Sequence, residues 1–400
     1  METAIADLNE YPRSKYSGRG IVICGGGERY FPCVWVCVHM LRYFGCRLPI
    51  ELWHLGPAEI NLELRAHLGL LGVKAIDAYQ VARSRPVKRL GGWELKPYAI
   101  MHCRFEEVLL IDADNIAVQN PEFLFDSPAY RETGSIFWPD RYPRVQPRPW
   151  LNPDIWSICG VPNSLETEVE AGQILLNKSV CWRPLQLCHF FNENSEFYYH
   201  YFYGDKDTYQ LAWKKMGLPF GLIPHPPKDL HEDWTMAQFD FDGNRLFQHR
   251  SGAKWRLHGE NIHVPDFYFE SECLTFLELL RDRWSGEIRK LPRDYGLAER
   301  QVFEIINDMG RFKVTMEHDT ETVLSLKPNH TIESNGHGSI GRWALGLDHN
   351  DRVVLGVEVC LAERQCAQLT MRANQCWHGY WDQFRDLEAH FVPIDYPAVV

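Results

Sequence analysis

Residues 105–115, Phe-Glu-Glu-Val-Leu-Leu-Ile-Asp-Ala-Asp-Asn, combine a short apolar run with two carboxylates at its end. The run Val108–Ile111 has the length and composition of a buried strand. Asp112 and Asp114 follow it two residues apart, which predicts that both side chains point the same way on a solvent-accessible rim of a sheet. Such charges cost desolvation energy unless something compensates them. The stretch therefore favours a functional carboxylate pair, although an Asp-x-Asp also occurs as a simple turn cap.

The surrounding residues alternate between strand and helix patterns. Gly20–Gly27 is a short apolar strand that runs into three glycines, and an apolar segment of helical length, Tyr30–Phe44, follows it. Leu48–Leu55 and Gln173–Asn177 are further strands. Alternation of this kind is typical of an α/β fold, here with a Rossmann-like mixed sheet.

The pattern changes near residue 310. From Phe312 onward, short runs of alternating polarity are separated by turn signals. Strands at this spacing are typical of a small antiparallel sandwich or barrel. We predict a β-rich accessory domain over residues 311–400, through which the chain docks or forms an oligomer. Its tryptophans either fill the core or stack on glycan; they are Trp343, Trp377 and Trp381.

Composition narrows the function classes. The 400 residues include 42 Lys and Arg against 53 Asp and Glu, a net charge of −11 that argues against a nucleic-acid binder. The 14 Trp, 17 Tyr and 21 Phe offer flat surfaces for sugars and nucleobases as well as core material. We find no apolar stretch of the roughly 20 residues that span a bilayer and no secretory signal pattern. With its 12 scattered cysteines, the chain is predicted to be cytoplasmic and reduced.

A second segment supplies a third metal ligand. His249-Arg-Ser-Gly-Ala-Lys254 offers an imidazole and an ammonium within six residues. A neutral histidine completes a carboxylate–metal site, and lysine approaches phosphate oxygens. The plainer interpretation is a surface turn with an ordinary histidine. We predict that Asp112, Asp114 and His249 hold Mn²⁺ or Mg²⁺.

Three more segments offer groups for a ligand. In Gly204–Thr208, Asp207 caps the following helix in the plainer interpretation, whereas Asp205 is less easily explained. Glu170–Gln173 enters a buried strand and contains a glycine, which permits a ligand to approach the backbone. Lys96 precedes the strand of the two carboxylates by one helix and offers a cation to a phosphate.

Eight motifs occur in a fixed order along roughly residues 18–260. They are Ile21-Val-Ile, Leu41-Arg-Tyr-Phe-Gly, Leu48-Pro-Ile-Glu-Leu-Trp, Trp93-Glu-Leu-Lys-Pro-Tyr-Ala, Phe105-Glu-Glu-Val-Leu-Leu-Ile-Asp-Ala-Asp-Asn, Phe137-Trp-Pro-Asp, Ala171-Gly-Gln-Ile-Leu-Leu-Asn-Lys and Gly204-Asp-Lys-Asp-Thr. Together they resemble the fungal Golgi α-mannosyltransferase family, which extends mannan side chains from GDP-mannose. More distantly, the region is similar to glycogenin-like and bacterial lipopolysaccharide galactosyltransferases. Those families share an Asp-x-Asp and a late His-x-x-Gly…Lys, and Lys254 comes one residue earlier after His249 than in the glycogenin-like pattern.

The resemblance implies a GT-A-like nucleotide-diphospho-sugar transferase domain over residues 18–308, after an N-terminal extension over 1–17. It implies a metal-dependent, retaining glycosyltransferase with a nucleotide-sugar donor, GDP-mannose favoured, and a glycan acceptor. Contacts to the donor are expected from Gly25, Gly26, Gly27, Lys96, Asp140 and Lys254. Catalytic or acceptor roles are expected among Glu170, Gln173, Asp205 and Asp207.

Several alternatives stay open at this point. The same fold could use a UDP-sugar, because base contacts come from loops that the sequence does not assign. A protein of another class, a carbohydrate-binding protein without turnover, would use the tryptophans of the accessory domain. A Golgi-lumen fragment of a type II enzyme is the less favoured location.

Overall fold

The computed structural model describes most of the chain. The described residues are 5–56, 59–141, 154–162, 168–201, 204–232, 234–286, 288, 302–303, 306, 310–315, 321–327, 331–334, 337–347, 353–360, 364–371, 377–381 and 384–394. The chain divides into two compact units. One comprises Met1–Leu55, Glu59–Ala78 and Pro86–Glu287, and the other comprises Gly56–Ala58, Tyr79–Arg85 and Ile288–Val400. The predicted boundaries after residues 17 and 308 stay predictions.

A seven-stranded mixed sheet lies at the centre of the first unit, in the order β3-β2-β1-β4-β7-β6-β8. Strands β1 to β4 are parallel, and β7 pairs antiparallel with both β4 and β6. The strands are β1 (Arg19–Cys24), β2 (Ile50–His54), β3 (Val73–Asp77), β4 (Glu107–Asp112), β6 (Ser135–Pro139), β7 (Val169–Asn177) and β8 (Gly221–Leu222). The predicted α/β class with a mixed sheet is confirmed.

A four-stranded sheet, in the order β5-β11-β10-β9, follows the end of β4. Its strands are β5 (Asn115–Ala117), β9 (Lys228–Asp229), β10 (Thr235–Phe239) and β11 (Arg245–Arg250). The α-helices are α1 (Gly27–Tyr43), α2 (Leu62–Leu70), α3 (Ala78–Ala82), α4 (Leu95–His102), α5 (Pro128–Thr133), α6 (Asp154–Ile158), α7 (Lys178–Glu193), α8 (Ser195–Tyr198), α9 (Lys206–Met216) and α10 (Glu270–Arg281). Two 3-10 helices span Gly92–Glu94 and Pro121–Asp126.

Strand β4 explains how two charges reach the centre of the unit. Val108 to Ile111 are fully buried because parallel strands covered on both faces select continuous apolar runs. The strand ends at Asp112, and residues 113–114 form the turn into β5. This turn lies at the carboxyl end of the parallel strands, where open α/β sheets bind their ligands.

The second unit contains a closed antiparallel barrel of eight strands. They are β12 (Arg311–Thr315), β13 (Glu321–Leu326), β14 (Thr331–Ser334), β15 (His337–Leu347), β16 (Val353–Cys360), β17 (Arg364–Met371), β18 (Trp377–Trp381) and β19 (Phe384–Pro393). The predicted antiparallel β domain is thus confirmed as a barrel. Trp343 and Trp377 lie in its apolar core, at 2% and 0% exposure. These two tryptophans fill the core, and the side chain of Trp381 lies outside the described residues.

Candidate metal centre

Asp112, Asp114 and His249 converge. One ligand atom from each lies within 4.8 Å of the others. Asp112 ends β4 and Asp114 lies in the following turn, while β11 pairs with β5 so that His249 is the register partner of Asn115. That pairing brings the imidazole to the residue next to Asp114, with His249 Nε2 3.1 Å from Asp114 Oδ1.

The environment of Asp114 differs from the expected solvent-accessible rim. Asp114 is only 6% exposed because the turn after Asp112 carries it under β11 and the loop that follows β11. Burial alone would raise its pKa, but the charges of Lys254 and His249 outweigh burial and lower the pKa of Asp114 far below its usual range. The carboxylate is therefore ionised and contacts both Lys254 and His249.

Two lysines place positive charges beside the two carboxylates. Lys96 Nζ lies 2.8 Å from both oxygens of Asp112 and 3.5 Å from Asp205 Oδ2. Lys254 Nζ donates to Asp114 Oδ2 and to the carbonyl of Ser251. Burial opposes the charge on both lysines, yet the adjacent carboxylates raise the pKa of each. The structure thus brings both predicted phosphate contacts to the predicted metal ligands.

Glu170 extends the cluster on the other side of the imidazole. Its Oε1 lies 3.7 Å from His249 Nδ1, an atom buried without a hydrogen-bond partner among the described residues. Burial and the charge of Asp140 raise the pKa of Glu170. A Cβ at Gly172 would lie 2.6 Å from His249 Nδ1. Only glycine at this position leaves room for the histidine ring.

Asp205 and Asp140 lie at the edge of the cluster, and each contacts a lysine. Asp205 is 3% exposed, and burial raises its pKa to about 7 although Lys96 opposes the shift. Asp140 is paired with Lys206, the first residue of α9 and the neighbour of Asp205. Asp207 lies in the first turn of the same helix, where a negative side chain is favourable with the helix dipole.

The three glycines begin α1 beside this site. A Cβ at Gly25 would lie 3.1 Å from the Cβ of Ala113, between the two predicted metal ligands of β4 and its turn. Gly26 is the N-cap residue, and a Cβ there would lie 2.7 Å from the Cβ of Glu59. Gly27 has a φ of +70°. The backbone of this glycine loop therefore lies close to the cluster.

Gln173 lies in a buried chain of amides. Its Oε1 accepts from Asn115 Nδ2 at 2.6 Å, and its Nε2 donates to Gln238 Oε1 at 2.7 Å. Asn115 also donates to the carbonyl of Gly172 at 3.0 Å. The chain links β5, β7 and β10 directly behind Asp114, so Gln173 fixes the position of the carboxylate turn.

Sequence reasoning missed Asn115, Gln238, Lys206 and Arg250. Asn115, Lys206 and Arg250 lie inside segments that it singled out, which was the available signal. Arg250 is fully buried and holds the segment that carries Lys254. It donates to the carbonyls of Ala253 and Ile262, pairs with Glu270 at 2.9 Å, and stacks on Trp255 with 3.8 Å from guanidinium carbon to ring centroid.

The family model and the curated relatives that match this chain are mannosyltransferases. A mannosyltransferase family model, Mannosyl_trans3, matches residues 18–152, which include Asp112 and Asp114. The α-1,2-mannosyltransferase MNN24 of Candida albicans is 26% identical over 275 residues, covering 56% of this chain and 38% of that protein. MNN2 of Saccharomyces cerevisiae is 24% identical over 279 residues, covering 58% of this chain and 47% of that protein. The chain spans less than two thirds of the length of these relatives.

Two solved structures of glycosyltransferases align with part of the chain. An active-site mutant of LgtC aligns with a TM-score of 0.42 and 14% identity over 66% of this chain and 95% of that one. The bifunctional glycosyltransferase WbbM aligns with a TM-score of 0.40 and 12% identity over 52% of this chain and 39% of that one.

The predicted cytoplasmic location is wrong, because the relatives are fungal Golgi mannosyltransferases. The cysteine count and the lack of a long apolar stretch were weak grounds for it. Within the part of the chain that the structure describes, no helix is both long enough and apolar enough to cross a membrane.

The family model matches from residue 18 to a point beyond the carboxylate turn. The curated relatives are 24% to 32% identical to this chain over the aligned residues. The predicted resemblance to the fungal Golgi α-1,2-mannosyltransferases is therefore confirmed.

Proposed function

We propose that the chain is a metal-dependent glycosyltransferase that moves mannose from GDP-mannose to a hydroxyl group of a glycan. The observation that carries the proposal is the convergence of Asp112, Asp114 and His249 within 4.8 Å. Two of these residues lie in the segment matched by a mannosyltransferase family. Relatives named α-1,2-mannosyltransferases support mannose as the sugar. The relatives do not specify the donor nucleotide, the metal or retention at the anomeric carbon, and these three parts belong to our proposal.

The donor set suits a divalent cation. Two carboxylates and one imidazole offer hard oxygens and a nitrogen, the ligands that Mn²⁺ and Mg²⁺ accept. His249 and Asp114 are buried, with His249 Nε2 3.1 Å from Asp114 Oδ1, so a cation that takes both atoms as ligands displaces the proton that they share. When bound, the metal supplies Lewis-acid stabilisation of the charge on the departing nucleoside diphosphate.

Lys96 and Lys254 hold the diphosphate in this proposal. Each ammonium contacts one of the two ligand carboxylates, so each lies within reach of an anion bound beside them. A charge-assisted hydrogen bond from lysine to a phosphate oxygen replaces part of the ion pair with the carboxylate. Gly25 to Gly27 supply a backbone edge close to the same anion.

Glu170 and Asp205 face the reacting sugars in this scheme. The acceptor hydroxyl attacks on the face from which the diphosphate leaves, its proton passes to the leaving phosphate oxygen, and the new glycosidic bond forms as the old bond to phosphate breaks. Asp205, whose pKa is raised to about 7, accepts a hydrogen bond from an acceptor hydroxyl near neutral pH. Glu170 lies beside His249 and orients the donor sugar.

The test measures transfer from radiolabelled GDP-mannose to a mannose oligosaccharide. Asp112→Asn should lower the rate at least 100-fold, and excess EDTA should abolish it, because the metal ligands are lost. Asp126→Asn is the matched control, since that carboxylate is exposed and pairs with Arg19 and Arg131. Full activity of the Asp112→Asn variant, or of the wild-type chain in excess EDTA, would overturn the metal assignment.

A thermal-shift series separates the donors. Stabilisation by GDP-mannose with Mn²⁺, but not by UDP-sugars, supports the proposed donor. Stabilisation by UDP-sugars alone replaces GDP-mannose with a UDP-sugar in the same fold, and no shift with either contradicts the whole account. A purely carbohydrate-binding role through the second unit is disfavoured, because Trp343 and Trp377 are buried in the barrel core.

A further inference from the structure

A buried chain of hydrogen bonds ends at the backbone carbonyl of Asp205. Thr208 Oγ1 donates to that carbonyl oxygen at 2.5 Å and accepts from Asn192 Nδ2 at 2.9 Å. Tyr199 Oη in turn donates to Asn192 Oδ1 at 2.6 Å. Asn192 and Thr208 are fully buried, so neither side chain exchanges these partners for water. The chain of bonds therefore fastens the start of α9 to helix α7 and to the residue that follows α8.

The donors in this chain of bonds all point towards Asp205. A threonine hydroxyl has one proton, which the carbonyl of Asp205 takes, so the amide of Asn192 supplies the proton of the next bond. Asn192 Nδ2 also donates to the carbonyl of Cys188 at 2.8 Å, and Cys188 Sγ lies 3.2 Å from Thr208 Oγ1. Bonds arranged head to tail strengthen one another, and a buried group left without its partner is costly. The chain of bonds therefore specifies one position for the turn at Asp205.

The side chain of Asp205 faces the candidate metal centre instead of its own helix. Asp205 is the N-cap residue of α9, where an aspartate commonly accepts a hydrogen bond from a backbone N–H of the first turn. Its carboxylate makes no such bond in α9, whose residues the structure describes throughout. Its Oδ2 lies 3.5 Å from Lys96 Nζ instead. The bond from Thr208 therefore holds the turn by its backbone, while the carboxylate of Asp205 serves the site.

We propose that Thr208 and Asn192 are positioning residues, which fix the Asp205 carboxylate in the place where it accepts a hydrogen bond from the acceptor glycan. This inference rests on the proposed function, which gives Asp205 that role. Thr208 and Asn192 are fully buried, so they act on the acceptor only through Asp205. A hydrogen bond depends steeply on distance and angle, so a turn that shifts without its buried bond holds the acceptor less well. The chain of bonds thereby sets the affinity for the acceptor, while other groups bind the donor.

The first test compares Thr208→Val with Thr208→Ser in the full chain. Valine keeps the shape of threonine without its hydroxyl, so the acceptor KM should rise about five- to tenfold, the value of one hydrogen bond, with kcat and GDP affinity changed less than twofold. Serine keeps the hydroxyl and should restore most of the acceptor KM. If packing were the cause, serine, which lacks the methyl group, would be the worse variant, and that result would overturn the proposal. Thr133→Val is the matched control, because the Thr133 hydroxyl also donates to a backbone carbonyl, that of Ala129, at the end of α5.

Two asparagines near the end of α7 form a second matched pair. Each donates from Nδ2 to the carbonyl four residues earlier at 2.8 Å, Asn192 to Cys188 and Asn194 to Phe190. Of the two, it is Asn192 that also donates to Thr208. Asn192→Ala should therefore raise the acceptor KM about five- to tenfold, and Asn194→Ala should leave it within twofold of the wild type. Equal effects of the two variants would contradict the positioning role.

A double-mutant cycle with Asp205→Ala shows whether Thr208 acts through Asp205. Thr208→Val should change the acceptor KM of Asp205→Ala less than twofold, because the carboxylate that it positions is gone. An effect of equal size with and without the carboxylate, or an unchanged KM in a folded Thr208→Val variant, would overturn the positioning role and leave the proposed reaction intact. Calorimetric titration of a mannose oligosaccharide, without any donor, repeats the comparison in a preparation that transfers no sugar. Weaker binding by Thr208→Val than by the wild type supports the role, whereas no binding by the wild type would overturn the proposed function itself.

Discussion

Lys254 forms an ion pair with Asp114 across 140 positions of sequence, and the ammonium contacts an oxygen of the carboxylate that we assign to the metal. The lysine and a divalent cation therefore compete for the same buried carboxylate. A cation that enters the site also meets the positive charge of Lys254. If the proposed site binds a metal, we expect this ion pair to weaken that binding until an anion, such as a diphosphate, pairs with the lysine.

Lys254→Met should bind Mn²⁺ about tenfold or more tightly in the absence of nucleotide, because a unit charge close to the metal is removed. The same variant should bind GDP more weakly, because a phosphate contact is lost. Titration of each ligand, monitored by tryptophan fluorescence, measures both effects. Lys327→Met removes a half-buried lysine that pairs with Glu333 in the barrel, and it should change neither affinity. Unchanged Mn²⁺ affinity in Lys254→Met would contradict the competition.

Gly172→Ala should weaken metal binding at least tenfold while the chain stays folded. The new Cβ would lie 2.6 Å from Nδ1 and 2.9 Å from Cε1 of His249, so the imidazole must leave its present position beside Asp114. Overpacking of this kind costs about 1–3 kcal/mol. Mn²⁺ titration and urea unfolding measure the two effects. Gly69→Ala is the control, because a Cβ on that exposed helical glycine meets nothing within 4 Å. Wild-type metal affinity in Gly172→Ala would show that the ring does not need this space.

Arg250→Met should lower the free energy of unfolding by about 2–4 kcal/mol, because a buried charge with several partners is removed and Glu270 loses one of its hydrogen-bond donors. The segment that carries Lys254 should also loosen, since Arg250 Nε donates to the carbonyl of Ala253. Urea denaturation measures the first effect, and GDP affinity measures the second. Arg131→Met removes an exposed arginine that pairs with Asp126 and should cost little. Equal stability of the two variants would contradict a structural role for Arg250.

Most of the residues that the sequence analysis predicted at the metal centre lie at the ends of strands. Asp112, Asp114 and Glu170 lie at the ends of apolar strands, and His249 lies in a short run with glycine and lysine. The end of β4 and the start of the antiparallel β7 lie at the same edge of the mixed sheet, so the proximity of Asp112 and Glu170 follows from strand order. The depth of Asp114 does not, because it depends on how the turn packs under β11.

The partners of the site depend on register and long-range packing. Asp140 meets Lys206 across 66 positions, and Gln173 meets Gln238 across 65. No local pattern encodes such a pairing, since any amide or lysine of suitable reach would satisfy it. The 45% exposure of Trp234 belongs to the same class, because a lone tryptophan before a strand reads as core material. Local patterns thus locate the groups that strand ends place, whereas they do not locate the partners that long-range contacts place.

His189 should control part of the acid sensitivity of the fold. It lies on α7 beside a cavity of about 280 Å³ that Asp7 and Glu193 also line, and burial lowers the pKa of His189 to about 4. Its Nδ1 is buried without a hydrogen-bond partner among the described residues. The folded state therefore holds the neutral ring, whereas the unfolded chain takes up a proton near the ordinary pKa of 6.5. The stability that this preference contributes is complete above pH 6.5 and is lost as the pH falls towards 4.

His189→Gln should flatten the fall in the free energy of unfolding between pH 6.5 and 4 by about 1–3 kcal/mol, since one pKa unit corresponds to about 1.4 kcal/mol. Urea denaturation at several pH values measures the slope. His189→Asn should give the same slope, because both substitutions remove the titration whatever they do to packing. A wild-type slope in both variants would mean that the pKa of His189 is the same in the folded and unfolded chain. The acid sensitivity would then come from other buried groups such as His39, whose pKa burial also lowers to about 4.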